Sequence, residues 1–374
     1  MKYCKVCVMS DKRPGIKFNE DGICYPCLSK INKKNINWNE RYQELVKICD
    51  KYKRKNGEYD CILPASGGKD SHYQAHILKK LGMNPLLVCV SDSFTHTKEG
   101  QHNLYLLSER YGIDTLVYNL NHKTVKKMMR IAFEEYGMPN WPIDLAIYSI
   151  PLKIAHSLGI KLIIYGENIS YEYGGPECEE TYSAKKQIMN NAVTPINNKF
   201  WYDRGIGKKE IDFIQYPTEE IVKDLEPIYL SYFVPWSGYE NYKFTKEYGF
   251  SDLGWHREGY IEDYDQIDSI GYLLHPWLKF IKYGHARTTD VACNLIRQGL
   301  MNREEAVRLV LSEDYKIDEK ILDDFLKTTG YSEEEFWSII DSLSNRDIVT
   351  KTKDGWRLKR NVRDALIKGG EVEL

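Results

Sequence analysis

Hydrophobic and polar positions follow two rhythms along the chain. Residues 38–55 place Tyr42, Leu45, Val46, Cys49 and Tyr52 on one helical stripe, which predicts an amphipathic helix. From residue 59, short apolar runs alternate with longer helical ones. "DCILPA", "PLLVCVSD", "DTLVYNL" and "KLIIYG" read as strands. "SHYQAHILKKLG", "GQHNLYLLSERYG" and "KTVKKMMRIAFEEYG" read as helices that stop at Gly82, Gly112 and Gly137. A further helix is read around Pro151. This alternation predicts βαβ units and an α/β fold, a parallel sheet flanked by helices. After about residue 200 it fades into aromatic, turn-rich segments, "NNKFWYDRGIGKKEIDF" and "YFVPWSGYENYKF". Helical patterns dominate after residue 285, with Asn302 and Glu305, then Ser332 and Glu335, in capping-box spacing.

A length of 374 residues suits two units plus a small accessory module. The pattern divides the chain into a cysteine module (1–33), a linker helix (34–57), an α/β domain (58–200) and a region of aromatic loops and helices (201–374). The net charge of -2 supplies no global basic field, so a nucleic-acid partner is not expected. No apolar run approaches the roughly 18 residues of a membrane span. The start, "MKYCKVCVMSDKRPG", lacks the apolar stretch of a signal peptide. A cytoplasmic protein without membrane contact is expected, and its 9 cysteines are then not a disulfide set.

Four of those cysteines have a different use. Cys4, Cys7, Cys24 and Cys27 form C-x2-C-x16-C-x2-C. Each C-x-x-C turn aims two thiolates at one point, and two such turns complete a tetrahedron around zinc. A closed four-thiolate site leaves no open position, which makes a zinc ion here structural. A module this small has too little core to fold unaided. Between the pairs, "GIKFNEDGIC" reads as a hairpin with Asp21 and Gly22 at its turn. Cys49, Cys61, Cys89 and Cys293 have apolar neighbours and read as core. Cys178 stands beside Glu177, Glu179 and Glu180, whose charges blunt a thiol's reactivity.

The stretch "ASGGKDS", residues 65–71, joins a strand to a helix. It is not a Walker loop, because Lys69 is followed by Asp70 and the leading glycine is missing. It is not G-x-G-x-x-G either. Backbone N–H groups exposed by Gly67 and Gly68 at a helix start make a phosphate cradle. Ser66 and Ser71 add hydroxyl donors and Lys69 adds a cation. Asp70 does not favour a bare phosphate, so it suits a hydroxyl, a backbone amide or Mg2+. Ligands of parallel sheets collect at the carboxyl ends of strands. Here those ends carry residues 65–71, Ser91 and Asp92, Asn119 and Asn121, and Gly166 to Asn168, which predicts one continuous pocket.

S-G-G-x-D-S after a buried strand resembles the pyrophosphate loop of the N-type ATP pyrophosphatases, the PP-loop enzymes with an adenine nucleotide alpha-hydrolase-like fold. That resemblance implies cleavage of ATP between its α and β phosphates. AMP is attached to a carbonyl oxygen, and a nitrogen or sulfur nucleophile displaces it. The ATP-binding set it implies is Ala65, Ser66, Gly67, Gly68, Lys69, Asp70, Ser71, Ser91, Gly166 and Asn168. The catalytic set is Lys69, Asp70, Glu167 and Glu172, with an acid of the later glycine-led loop helping to bind Mg2+ or the adenylated group. Lys185 and Lys186 are candidates to reach phosphates.

Several blocks resemble the N-acetyl sugar amidotransferase family. They are "YCKVCVMSDKRPGIKFNEDGIC", "SFTHTKEGQHNL", "YGENISYEYGG", "FVPWSGYENY" and "KYGHARTTDVACNLIRQGLMNREEAV". Members make acetamidino sugars, including pseudaminic and legionaminic acid derivatives, for surface polysaccharides and flagellin glycans. The resemblance implies an acetamido sugar substrate, free or nucleotide-linked, whose N-acetyl group becomes an acetamidino group. No cysteine elbow of a built-in glutaminase occurs in the chain. Ammonia is therefore expected from a separate glutaminase subunit, with a cyclase-like subunit alongside. A zinc-ribbon tRNA thiolation enzyme is the rival reading, and a non-catalytic nucleotide-binding module is a third. Trp201, Tyr202, Trp236, Tyr239 and Tyr242 are candidates to stack on a sugar or base. Arg204, His285 and Arg287 are candidates for an anionic group on the substrate. His96 and His102, after the second strand, read as hydrogen-bonded loop histidines.

Overall fold

The computed structural model of the protein describes residues 1–55, 57–175, 179–186 and 197–374. Cys178 and Glu177 lie outside these residues. All four strands read from the sequence form: β1 (Cys61–Pro64), β2 (Pro85–Ser91), β3 (Thr115–Asn119) and β4 (Leu162–Tyr165). A fifth, β5 (Glu226–Tyr229), pairs in parallel with β4, so the sheet does not end at residue 200 as the pattern suggests. Its four residues, "EPIY", are too short for a visible period. The order is β3-β2-β1-β4-β5 and every pairing is parallel. The order reverses between β1 and β4, which opens a crevice at their carboxyl ends.

Side chains alternate across this sheet. Leu63, Leu87, Cys89, Leu162, Ile164 and Ile228 face helices α2 (Trp38–Tyr52), α3 (Lys69–Lys80) and α4 (Lys98–Tyr111). Leu45 and Cys49 of α2 are fully buried in that layer, so α2 is a core element and not a linker. Ile62, Val88, Ile163 and Tyr165 face the other way, toward α5 (His122–Tyr136) and α6 (Trp141–Ser157). The C-terminal helices and the cysteine module join that second layer in one buried cluster. The chain's first residues meet its last: Val372 O accepts from the Met1 amine at 2.7 Å and Gly370 O from Tyr3 N at 3.1 Å.

The C-terminal region is helical, but Val349–Thr352 and Gly355–Leu358 form an antiparallel hairpin that its helical neighbours hide. Ser332 and Glu335 make the full reciprocal cap, while Asn302 accepts from Glu305 N without the return bond. Among the described residues, no helix is long and apolar enough to cross a membrane.

Candidate active site

The loop of residues 65–71 sits where the sheet order reverses. Gly68 caps α3, and Ser71 N donates to Gly68 O at 2.9 Å. Gly67 has φ +92°, and a β-carbon there would stand 2.7 Å from Leu104 N, so only glycine fits against α4. A cavity of about 310 Å3 opens beside the loop. Ala65, Ser66, Asp70 and Ser71 line it after β1, Asp92 after β2 and Glu167 after β4. Val88, Val90, Ile143, Ile147 and Tyr148 give it one apolar wall. Gln266, Asp268 and Tyr272 close the far side. Gln266 is the one described non-glycine residue with positive φ, at 50°.

Lys69 is only 4% exposed and does not point into the cavity. Its ammonium lies 2.7 Å from Asp70 Oδ2 and 2.9 Å from Asp265 Oδ1. Burial works against the charge, but Asp265 and Asp70 raise its pKa well above the usual lysine value. Asp265 also pairs with Arg287, and burial is outweighed there by the Lys69 and Arg287 cations, which hold it far below the carboxylate range. Arg257, fully buried, fixes this loop by donating to the carbonyls of Glu262, Asp265 and Gln266 at 2.9–3.2 Å. On the other oxygen of Asp70, Asn241 Nδ2 donates at 2.7 Å. In this arrangement Lys69 is paired with Asp70 and Asp265 and is not among the residues that line the cavity.

Glu167 is pushed up to about 8, first by burial and then by the nearby charge of Asp70. Asp268 is pushed up to about 6 by burial and by Asp92. Asp92 is raised by burial, although Ser269 Oγ and Phe94 N donate to it at 2.7 and 2.8 Å. Burial and mutual repulsion thus disfavour charge on Glu167, Asp268 and Asp92. Asp70, Asp92, Glu167 and Asp268 line this one cavity, but among the described residues no three of their carboxylates converge closely enough to hold one ion by themselves.

Glu167 carries a stability consequence. Its folded pKa lies above the unfolded value near 4.5, so the folded chain binds the extra proton. Stability from this group falls as pH rises from about 4.5 toward about 8. Glu167→Gln is expected to gain on wild type by about 2 kcal/mol between about pH 5 and about pH 8.5, after discounting for partial exposure. Thermal melts at both pH values check this, and a pH-independent gap would contradict it.

Other predicted residues lie elsewhere. Ser91 has the opposite strand parity from Val88 and Val90, and its hydroxyl shares a hydrogen bond with His96 Nε2 at 3.1 Å. Asn121 caps α5 and lines a separate cavity, so the pocket is not continuous to β3. Gly166 is placed by close approach: a β-carbon would stand 3.1 Å from Trp236. Asn168 is buried and braces its own loop, accepting from Tyr171 N at 3.2 Å. Glu172 pairs with Lys33 of the cysteine module, away from the cavity. Lys185 donates to Lys223 O and Lys186 pairs with Glu179, both outside the cavity. Arg204 pairs with Glu135 on the surface, and His285 is buried with its imidazole pushed down to about 3 by desolvation. Trp201 is fully buried core. Trp236 lines a neighbouring cavity, and Tyr242 stacks on Tyr264 with centroids 3.9 Å apart. His102 Nε2 bonds Gly249 O at 3.1 Å.

The four module cysteines are buried, and their sulfurs all lie within 4.8 Å of one another. Cys7 Sγ and Cys24 Sγ are 3.6 Å apart, close to the roughly 3.8 Å edge of a tetrahedron with 2.3 Å metal–sulfur bonds. Val6, Cys7 and Cys24 aim backbone N–H groups at Cys4 Sγ at 3.3–3.5 Å. This cluster could hold a metal ion. Cys293 packs against it, with Arg297 alongside.

Residues 237–363 match the model of the family described as LPS biosynthesis protein WbpG-like, C-terminal domain. An uncharacterized protein of Methanocaldococcus jannaschii is 29% identical over 171 residues, 45% of this chain and 60% of that protein. The match thus spans less than two thirds of the relative's length. Three solved structures are similar. A predicted subunit of tRNA methyltransferase from M. jannaschii shares 23% identity over 40% of this chain and 72% of its own, with a TM-score of 0.24. The U34-tRNA thiolase NcsA from Methanococcus maripaludis, with its [4Fe-4S] cluster, shares 12% over 80% and 87%, with a TM-score of 0.31. An NH3-dependent NAD synthetase from Campylobacter jejuni shares 10% over 50% and 91%, with a TM-score of 0.28. At these scores the fold assignment rests on the chain's own topology. That topology is a five-stranded parallel sheet flanked by helices, followed by a region similar to the WbpG-like C-terminal domain.

That domain is part of the site. Asn241, Asp265, Gln266, Asp268 and Tyr272 all fall within the matched residues. None was singled out from the sequence, where each is one polar residue in an aromatic loop. The strongest available signal was the acidic spacing of "YIEDYDQIDS", residues 260–269.

Proposed function

We propose that the protein is an ATP-dependent amidotransferase that turns the N-acetyl group of a sugar into an acetamidino group. The observation that carries this reading is the shared cavity. One side is a pyrophosphate-type loop, and the other is built by the domain matched to LPS biosynthesis. The N-acetyl oxygen attacks the α-phosphorus of ATP and pyrophosphate leaves into the cradle of Ser66, Gly67, Gly68 and Ser71. Ammonia adds to the activated carbon, and AMP departs with the former acetyl oxygen. An amide is a poor electrophile, which makes the activation step necessary.

The chain's own residues position and neutralise. The backbone of the loop and α3 binds the departing phosphates. Asp70, held by Lys69 and Asn241, faces Glu167 across the cavity. These two acids would help hold Mg2+ beside the phosphates, where it would supply charge neutralisation. Glu167 would have to be ionised to hold such a cation. Gln266, Asp268 and Tyr272 are placed to meet the sugar. Zinc suits the four-thiolate cluster, as a structural ion. Ammonia comes from a separate glutaminase subunit, with a cyclase-like subunit in the same assembly, in the cytoplasm.

The test incubates the protein with ATP, Mg2+, ammonium and nucleotide-linked or free acetamido sugars, with tRNA in a parallel arm. AMP, pyrophosphate and a sugar about one mass unit lighter are expected. Stoichiometric AMP only in the tRNA arm would defeat the proposal.

A further inference from the structure

The turn Ser170–Gly174 follows directly on the loop that brings Glu167 into the cavity. Within it, Asn168 O accepts from Glu172 N at 2.9 Å. Most of its other support arrives from outside. Arg13, between the two cysteine pairs, donates Nε to Gly174 O at 3.1 Å and pairs Nη1 with Asp290 at 2.6 Å. Lys33 pairs with Glu172 and lies over the Tyr171 ring, 5.3 Å from its centroid. Gly174 has φ +96°, and a β-carbon there would stand 2.9 Å from Ile16 Cγ1 and 3.3 Å from Pro26 Cγ. Arg297 donates Nη1 to Glu172 O at 3.1 Å and to Asn294 Oδ1 at 2.9 Å.

Arg13, Ile16, Pro26 and Lys33 all belong to the segment organised by Cys4, Cys7, Cys24 and Cys27. The turn they hold has no sheet partner of its own among the described residues. We infer that the cysteine module is a strut that positions the Glu167 loop, with Arg13 as the principal positioning residue. The module thereby has a task beyond its own stability. It fixes where an acid of the cavity stands. The catalytic half of this inference rests on the reading of Glu167 proposed above, and the positional half does not.

Hydrogen–deuterium exchange on the full, metal-loaded chain separates the halves. The variants are Arg13→Ala and Arg13→Lys. Lysine keeps a charge opposite Asp290 but lacks the second, lateral donor to Gly174 O. Both variants are expected to keep their metal. Exchange in residues 168–175 should rise about tenfold or more, with β1 and β2 unchanged. The kcat for AMP formation should fall about tenfold, with KM for ATP within about twofold of wild type. Unchanged protection at 168–175 would overturn the strut. A rise spread evenly over the sheet would overturn it too, leaving Arg13 a stability residue. A local rise with unaltered AMP formation would establish the strut and overturn its catalytic half.

Discussion

An Asp70→Asn protein is expected to fold as wild type does and to form AMP at least about a thousandfold more slowly. The fold should survive because the buried Lys69 keeps Asp265 as its counter-ion at 2.9 Å. The new carboxamide oxygen can still accept from Asn241, which now donates to Asp70 Oδ1 at 2.7 Å. The cost is the contact to Lys69, where a carboxamide NH2 replaces Oδ2 opposite the ammonium and the hydrogen bond is lost, on the order of 1–3 kcal/mol. Activity should collapse because, on the proposed reaction, the substitution removes a charge beside the loop that receives the phosphates, where Asp70 and Glu167 line the same cavity. Single-turnover AMP formation, together with a circular dichroism melt, checks both halves. Full activity in this variant would mean that the loop does not hold phosphates and a cation as described.

The second large effect is expected at Cys4. Cys4→Ser should release the metal and destabilise the protein by about 4 kcal/mol or more, since a hydroxyl is a poor ligand in a four-thiolate set. The loss should spread beyond the module. Cys7 packs against Cys293, and Lys2, Tyr3 and Met1 are tied to the last residues of the chain. Metal analysis and thermal melts measure this. Absence of bound metal in purified wild type, or an unchanged melt in a metal-free variant, would contradict the structural role.

The loop and the cysteine module were legible because each is contiguous. "ASGGKDS" carries its strand, cradle and helix start in seven letters, and the cysteine spacing is its own signature. The parity of β2 was equally available, since Val88 and Val90 face α6, which makes Asp92 and not Ser91 the cavity residue. What the sequence hid is what only tertiary packing brings together. Asp265 lies 196 positions from Lys69, and Asn241 lies 171 from Asp70. Nothing in the local pattern of either marks it as a partner. Glu172 shows the reverse error. It stands five residues from Glu167 in the same loop, yet the intervening turn directs it to Lys33. The strand β5 was missed because four residues, one of them Pro227, show no period.

The central claim is that ATP activates an amide oxygen of the sugar. It is tested most directly by an acetamido sugar whose N-acetyl oxygen is a heavy isotope, incubated with ATP, Mg2+ and ammonium. Mass spectrometry of the products should find the label in the phosphate of AMP, in amounts equal to the amidino sugar formed. The pyrophosphate should be unlabelled. Unlabelled AMP, a labelled oxygen retained on the sugar, or ADP in place of AMP would contradict the account.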